Sequence, residues 1–214
     1  HPDDEAIGCA GTIARHIKNG DKVYFLCMTN GVDSRADVTN ENVRVRGASL
    51  RNSANILGVS SVCHLDFPDN QMDITPLLDI VKSIELTLSE INPNIVYTHH
   101  VGDLNIDHQI THRAVMTACR PVPKSAIKEI YAFEVLSSTE WQTPGLNSFN
   151  PNVFINISDY IKIKKKVLKI YGGEMSQTPH ARSVDNILRL NALRGNSVGY
   201  DYAESYMALR IIKS

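Results

Sequence analysis

The chain opens on His1-Pro2-Asp3-Asp4-Glu5, one imidazole and three carboxylates in five residues, followed by small residues through Gly11. Imidazole and carboxylate are ligand types of catalytic zinc, which commonly takes three protein ligands and leaves a fourth position to water. A further carboxylate beside a ligand can serve as base to that water. The same residue types also suit an ordinary helix start, where acidic side chains favour the dipole and proline fits the first turn. A second cluster, Thr98 to His112, holds His99, His100, His108 and His112 together with Asp103 and Asp107. Asn105 reads as the N-cap of a helix beginning at Ile106. That puts His108 in the first turn and His112 on the same face, four residues on. Four histidines within one short stretch favour a metal site over a purely structural cluster.

These residues need elements to position them. Residues 11–18 read as a helix ended by Asn19-Gly20, and 22–28 as a buried strand ending in the turn Thr29-Asn30-Gly31. A helix over 43–57, a short strand at 62–65 and a turn-rich stretch through Asp69-Asn70 follow. An amphipathic helix is expected over 75–90, with Leu77, Leu78, Ile80, Val81, Ile84 and Leu88 inward, then a strand at 95–98. Beyond it come strands at 127–135 and 153–157, a helix from Ser158 to about Tyr171, a helix over 183–194 and a strand over 206–212. The run Lys164-Lys165-Lys166 reads as a solvated helix face. Strands and helices alternating at this interval predict a doubly wound α/β fold with a mostly parallel sheet, helices on both faces and a single domain over 1–214. In such sheets ligands bind beyond the C-terminal strand ends, where Thr29-Gly31, Asp66-Asn70 and His99-His100 all fall. No strand precedes His1, so a first strand before it is expected to be missing. The part from 136 to 214 is expected to complete the substrate pocket.

The net charge of -1 and the dispersed lysines and arginines leave no electrostatic footprint for nucleic acid. The apolar runs are strand-length, so no membrane span is expected. Four widely spaced cysteines without a C-x-x-C pair indicate reduced thiols and a cytoplasmic setting.

His-Pro-Asp-Asp-Glu at a strand tip, followed about a hundred residues on by Gly102-Asp103-Leu104-Asn105-Ile106-Asp107-His108, resembles the LmbE-like (PIG-L) family of zinc-dependent N-deacetylases. Shorter likenesses lie at Thr29-Asn30-Gly31, at Arg46 ahead of Ile56-Leu57-Gly58-Val59, at Asp66-Phe67-Pro68-Asp69, at Pro179 to Ser183 and at Tyr202 to Tyr206. The resemblance implies a Rossmann-like fold and hydrolysis of a linear amide, removing an N-acetyl group from an amino sugar or its conjugate through a zinc-bound water. It implies that His1, Asp4 and His108 hold the metal and that Asp3 is the general base. Asn105 and Asp107 join the catalytic set, while Arg46, Asp69, His99, His180 and Arg182 are expected to bind substrate. Iron(II) or cobalt could occupy the same ligands. The resemblance leaves room for a homo-oligomer.

Two positions depart from the family pattern. Asn105 stands where many members carry a histidine; asparagine can donate a hydrogen bond but cannot deliver a proton. Protonated Asp3 is then the first choice as acid, with His112, His99 and His180 behind it. Ser49 stands where a glutamate usually follows Arg46, which removes an expected salt-bridge partner for that arginine. Two other readings compete: an amidase for a larger acyl group on an amino-sugar conjugate, and an inactive sugar-binding module. Dinucleotide binding lacks its Gly-x-Gly-x-x-Gly signal.

Overall fold

The opening motif folds directly into helix. In the computed structural model, which describes residues 1–213, α1 spans Asp4–Lys18. The helix therefore begins seven residues earlier than its apolar pattern predicts, because the acidic residues Asp4 and Glu5 occupy its first turn. The remaining elements are β1 (Tyr24–Cys27), α2 (Asn40–Leu57), β2 (Ser61–His64), α3 (Leu77–Ile91), β3 (Ile95–His99), α4 (Ile106–Ala118), β4 (Glu129–Phe133), β5 (Val153–Asn156), α5 (Ile161–Ile170), α6 (Val184–Asn196) and β6 (Ala203–Ile211). Short 3-10 turns lie at Met72–Ile74, Thr139–Trp141 and Ser158–Tyr160. The chain forms two compact units, one from His1–Asp69 and Phe154–Ser205, the other from Asn70–Val153 and the segment from Tyr206 onward.

In the first unit β1 pairs in parallel with β2, from Tyr24 opposite Ser61 to Cys27 opposite His64. Helices α1, α2 and α5 pack on one another, and α6 on α5. Their buried faces carry Ala6, Ile7, Ala10 and Ile13 of α1, Leu50 and Leu57 of α2, Val167 and Leu168 of α5, and Ile187 of α6. α2 starts at a capping box in which Thr39 and Asn42 exchange side chain-to-backbone hydrogen bonds. Gly11 allows a close approach in this unit: a Cβ there would meet Ile157 Cβ at 2.7 Å.

The lysine run is not wholly solvated, as its amphipathic setting suggests. Lys164 is fully buried, whereas Lys165 and Lys166 are exposed. Its ammonium donates to Glu204 Oε1 at 2.6 Å and to the Ile7 carbonyl at 2.7 Å. Glu204 also accepts the Gly11 and Thr12 amides at 2.9 and 2.7 Å. A buried ion pair thus locks onto α1 one turn beyond the acidic motif. Periodicity could not reveal this, because the partner lies forty residues away in sequence.

In the second unit β3 and β4 pair in parallel, from Ile95 opposite Glu129 to His99 opposite Phe133, and β6 runs antiparallel to β4. α3 packs on α4, and α4 on β3. Ile80, Val81 and Ile84 are buried as expected, but Leu77 and Leu78 are 41% and 60% exposed. They lie in the first turn, where the helix has just followed Pro76 and the inward stripe begins only at Ile80. The parallel pairs and the alternation of strands with helices agree with the α/β prediction; the antiparallel β6 is an addition to it. No helix among the described residues is long and apolar enough to cross a membrane.

Removing one member of a buried ion pair leaves the other charge uncompensated. Lys164→Met is therefore expected to lower the unfolding free energy by about 3–5 kcal/mol, with Lys164→Met/Glu204→Gln recovering part of it. Urea unfolding of both variants checks this. A single variant as stable as the parent would refute the burial argument.

Candidate active-site residues

In the first unit the acidic motif is gathered around Asp3. This residue takes φ 123°, a region L residues rarely adopt and one that costs on the order of 1–3 kcal/mol unless its surroundings hold it. The surroundings do so. The Asp3 amide donates to Glu5 Oε2 at 2.9 Å, and its carbonyl accepts the Ala6 and Ile7 amides. Its carboxylate is buried, with Oδ2 met by Arg46 Nη2 at 3.1 Å and Arg182 Nη1 at 3.0 Å. Oδ1 is buried without a hydrogen-bond partner among the described residues. Burial pushes the carboxyl above its ordinary value, and Asp4 adds to this; Arg46, Arg182 and His1 oppose it without reversing it.

Arg46 is 5% exposed, lies over the Tyr171 ring at 5.6 Å, and spends its other arm on Glu174 at 3.0 Å. Glu174 also holds Arg35 at 2.6 Å. The salt bridge lost through Ser49 is thus replaced by Asp3 and Glu174, while the Ser49 hydroxyl turns to the Ile170 carbonyl at 3.4 Å. Glu5 accepts the Tyr171 hydroxyl at 2.5 Å and the Ser53 hydroxyl at 3.0 Å. Enclosure pushes its carboxyl up to about 7, although these bonds pull the other way.

His1 Nδ1 lies 3.3 Å from Asp4 Oδ2, and His1 Nε2 lies 3.4 Å from Asp69 Oδ1. Asp69 is buried and also accepts the Thr29 hydroxyl, the Ser34 amide and the Ser34 hydroxyl at 3.1, 3.1 and 2.6 Å. The turn at Gly31 must come this close. Its φ is 73°, and a Cβ there would stand 3.1 Å from Pro2 Cδ and 3.3 Å from His1 Cβ. Of the residues expected at the substrate, Arg46 and Asp69 are therefore buried and engaged with the motif. Arg182 reaches Asp3 from the segment before α6, and His180 is exposed with Nδ1 accepting the Arg182 amide at 3.0 Å.

In the second unit the start of α4 forms as the sequence predicts. Asn105 Oδ1 accepts the amides of Asp107 and His108 at 2.9 and 3.4 Å, and its amide group donates to Asn70 Oδ1 at 2.8 Å. The Asp107 carboxylate accepts the Asn70 and Met72 amides at 2.6 and 3.0 Å, tying that loop to the helix start. His108 is 2% exposed, with Nδ1 3.1 Å from Asp103 Oδ1. Asp103 also binds the hydroxyls of Ser138 and Thr139 and the Asn105 amide. Burial pushes the Asp103 carboxyl up, but His108 and the two hydroxyls outweigh it and hold it below its ordinary value. The His99 ring stacks on His108 at 4.1 Å and lies 4.7 Å from Phe133, so it supports that ring. His112 Nδ1 bonds the His99 carbonyl at 2.8 Å. His100 Nε2 meets the Asn147 carbonyl, and its ring stands edge-on to Phe149.

Sequence reasoning placed Asp103 in the histidine cluster and Glu5 in the motif without giving either a task, and it missed Tyr171 and Glu174 as partners of the motif. Glu174 follows Gly172-Gly173 in an aperiodic loop and carries no local signal.

The motifs and the fold now meet in one assignment. The chain belongs to the PIG-L family, whose profile, described as GlcNAc-PI de-N-acetylase, matches residues 1–119. It is 30% identical to the Escherichia coli K12 protein YaiS, described as an uncharacterised deacetylase, over 79% of this chain and 85% of that one. Among solved structures, N,N'-diacetylchitobiose deacetylase from Pyrococcus horikoshii superposes with a TM-score of 0.79 at 19% identity, covering 98% of this chain and 81% of that one. The 4-carboxy-2-hydroxymuconate hydratase GalB of Pseudomonas putida KT2440 superposes with a TM-score of 0.78 at 20% identity, covering 100% and 95%. These likenesses establish the α/β fold of the chain.

Burial lowers the His112 pKa from its ordinary 6.5 against the pull of the His99 carbonyl, so the folded state favours the neutral ring. Its contribution to stability is complete above that ordinary value and is lost as the pH falls through the depressed one. His112→Asn is expected to make the fall in Tm between about pH 7 and about pH 5 shallower. Thermal unfolding across that range checks it, and parallel curves for the two proteins would refute it.

Proposed function

We propose that the chain is a metal-dependent hydrolase that removes the acetyl group from an N-acetylated amino sugar or amino-sugar conjugate. His1, Asp4 and His108 would hold the ion, with zinc the first choice and iron(II) the alternative. The residues fit such a group by their chemistry: two imidazoles and one carboxylate, with His1 Nδ1 and Asp4 Oδ2 side by side at 3.3 Å. The ion supplies Lewis acidity toward water and the acetyl carbonyl when bound. The family match and the activity of the Pyrococcus deacetylase support acetylated sugars as the substrate class.

The observation that carries the reading is the state of Asp3. One oxygen is gripped by Arg46 and Arg182; the other is buried with no hydrogen-bond partner among the described residues, and burial raises the carboxyl above its ordinary value. Asp3 Oδ1 takes a proton from water as the water oxygen bonds to the acetyl carbon. The carbonyl electrons move onto its oxygen, then return as the C–N bond breaks. The departing nitrogen takes the proton back from Asp3, yielding a free amine and acetic acid, which ionises to acetate. Asn105 is not needed as an acid in this scheme, which agrees with its engagement as a helix cap. Asp107, bound to two backbone amides, positions the α4 start. His180, exposed beside Arg182, is assigned to the sugar, and Arg46 to holding Asp3. The four reduced thiols fit the cytoplasmic setting expected for the enzyme.

Asp3→Asn should lower acetate release from N-acetylglucosamine conjugates by about 10²- to 10⁴-fold while bound metal per chain stays at the parent level. Parallel metal analysis and amine detection on the full chain check this. A parent protein that binds no divalent metal, or a variant of undiminished activity, would sink the proposal.

A further inference from the structure

Two supports of Asp3 come from one turn late in the chain. Tyr171 ends α5, and the amides of Glu174 and Met175 donate back to its carbonyl at 2.8 and 3.1 Å, closing the turn. We infer that Tyr171 and Glu174 are positioning residues for the general base, one fixing the backbone of Asp3 and the other its carboxylate. Each acts through a single intermediary, and all of these residues belong to the first unit. The inference rests on the assignment of Asp3 proposed above.

The backbone arm runs through Glu5. The Tyr171 hydroxyl donates to Glu5 Oε1 at 2.5 Å, and Glu5 Oε2 accepts the Asp3 amide at 2.9 Å. Asp3 stands at φ 123°, a conformation that persists only where its surroundings hold it. A carboxyl group anchored at its far oxygen supplies such a hold, and the Ser53 hydroxyl reinforces it at 3.0 Å.

The side-chain arm runs through Arg46. Glu174 Oε1 pairs with Arg46 Nη1 at 3.0 Å, while Arg46 Nη2 pairs with Asp3 Oδ2 at 3.1 Å. The Tyr171 ring lies 5.6 Å from the guanidinium carbon, within reach of a cation–π contact. A planar guanidinium pulled by a carboxylate at each Nη and faced by a ring has one orientation left. Glu174 Oε2 accepts from Arg35 at 2.6 Å, so each of its oxygens serves one arginine and the carboxylate itself cannot swing. Tyr171 is 1% exposed and Arg46 5%, so these contacts form away from water, where charge pairs are strong. Loss of either arm displaces Asp3 without removing a reacting group.

The first test needs no variant. In ¹⁵N spectra of the arginine side chains of the parent chain, Arg46 should give separate Nη1 and Nη2 signals, because a guanidinium held at both Nη atoms cannot rotate about its Nε–Cζ bond. A single averaged Arg46 signal overturns the inference. The second test follows amine release from N-acetylglucosamine conjugates by the full chain. Tyr171→Phe and Glu174→Gln should each lower kcat roughly 10- to 100-fold, with KM and bound metal per chain at the parent level. Glu174→Asp keeps the charge and should retain more of kcat than Glu174→Gln; equal losses overturn the Glu174 arm. A raised KM or lost metal in place of the fall in kcat overturns the inference. Asp3→Asn, measured alongside, separates the two levels of the argument. If Asp3→Asn is inactive while Tyr171→Phe and Glu174→Gln work at the parent rate, the positioning role is wrong and the base assignment stands. If Asp3→Asn works at the parent rate, the base assignment fails and this inference falls with it.

Discussion

The first unit is arranged around one buried carboxylate between two guanidinium groups. Asp3 sits at a backbone conformation that must be held from outside; Arg182 donates a hydrogen bond to its carboxylate, Arg46 pairs with it, and the two charges make its burial tolerable. Arg46 is itself buried, so it needs a second anion, which Glu174 provides while also pairing with Arg35. Each charge in this chain is acceptable only because the next is present, since an unpaired buried ion costs several kcal/mol. The helix carrying the motif is secured independently by Lys164 and Glu204, which occupy backbone groups of its second and third turns.

The second unit handles its polar residues differently. The start of α4 is a set of local hydrogen bonds: Asn105 caps the helix, Asp107 gathers the loop amides of Asn70 and Met72, and Asp103 gathers Ser138 and Thr139. These are acceptors and donors fixed by local hydrogen bonds. Preorganisation of this kind is what a site needs to act without reorganising during the reaction.

The fold does not choose the chemistry. A chitobiose deacetylase and a muconate hydratase superpose on this chain almost equally well. What separates such proteins is the side chains at the strand ends and helix starts, and function has to be argued from those. Here they are an acidic motif with one buried carboxylate oxygen outside any hydrogen bond among the described residues, and two histidines each with a buried carboxylate beside the ring.

Much was legible in the sequence because its cause is local. Strand and helix alternation, the Asn105 cap and the gathering of acids and histidines at chain positions that end strands all follow from side-chain period and short-range hydrogen bonding, which neighbouring residues decide. The start of α1 was misplaced because polar first-turn residues add no apolar period, and Leu77 and Leu78 were read inward because a helix pattern does not say where its buried stripe begins. The partners of the charged residues were beyond reach. Lys164 among exposed lysines, Glu174 in an aperiodic loop, and Asp69 turned toward His1 look locally like solvated groups. Only the folding of distant segments against one another removes the water, and once water is gone each charge must find its counter-ion wherever the tertiary structure has placed one.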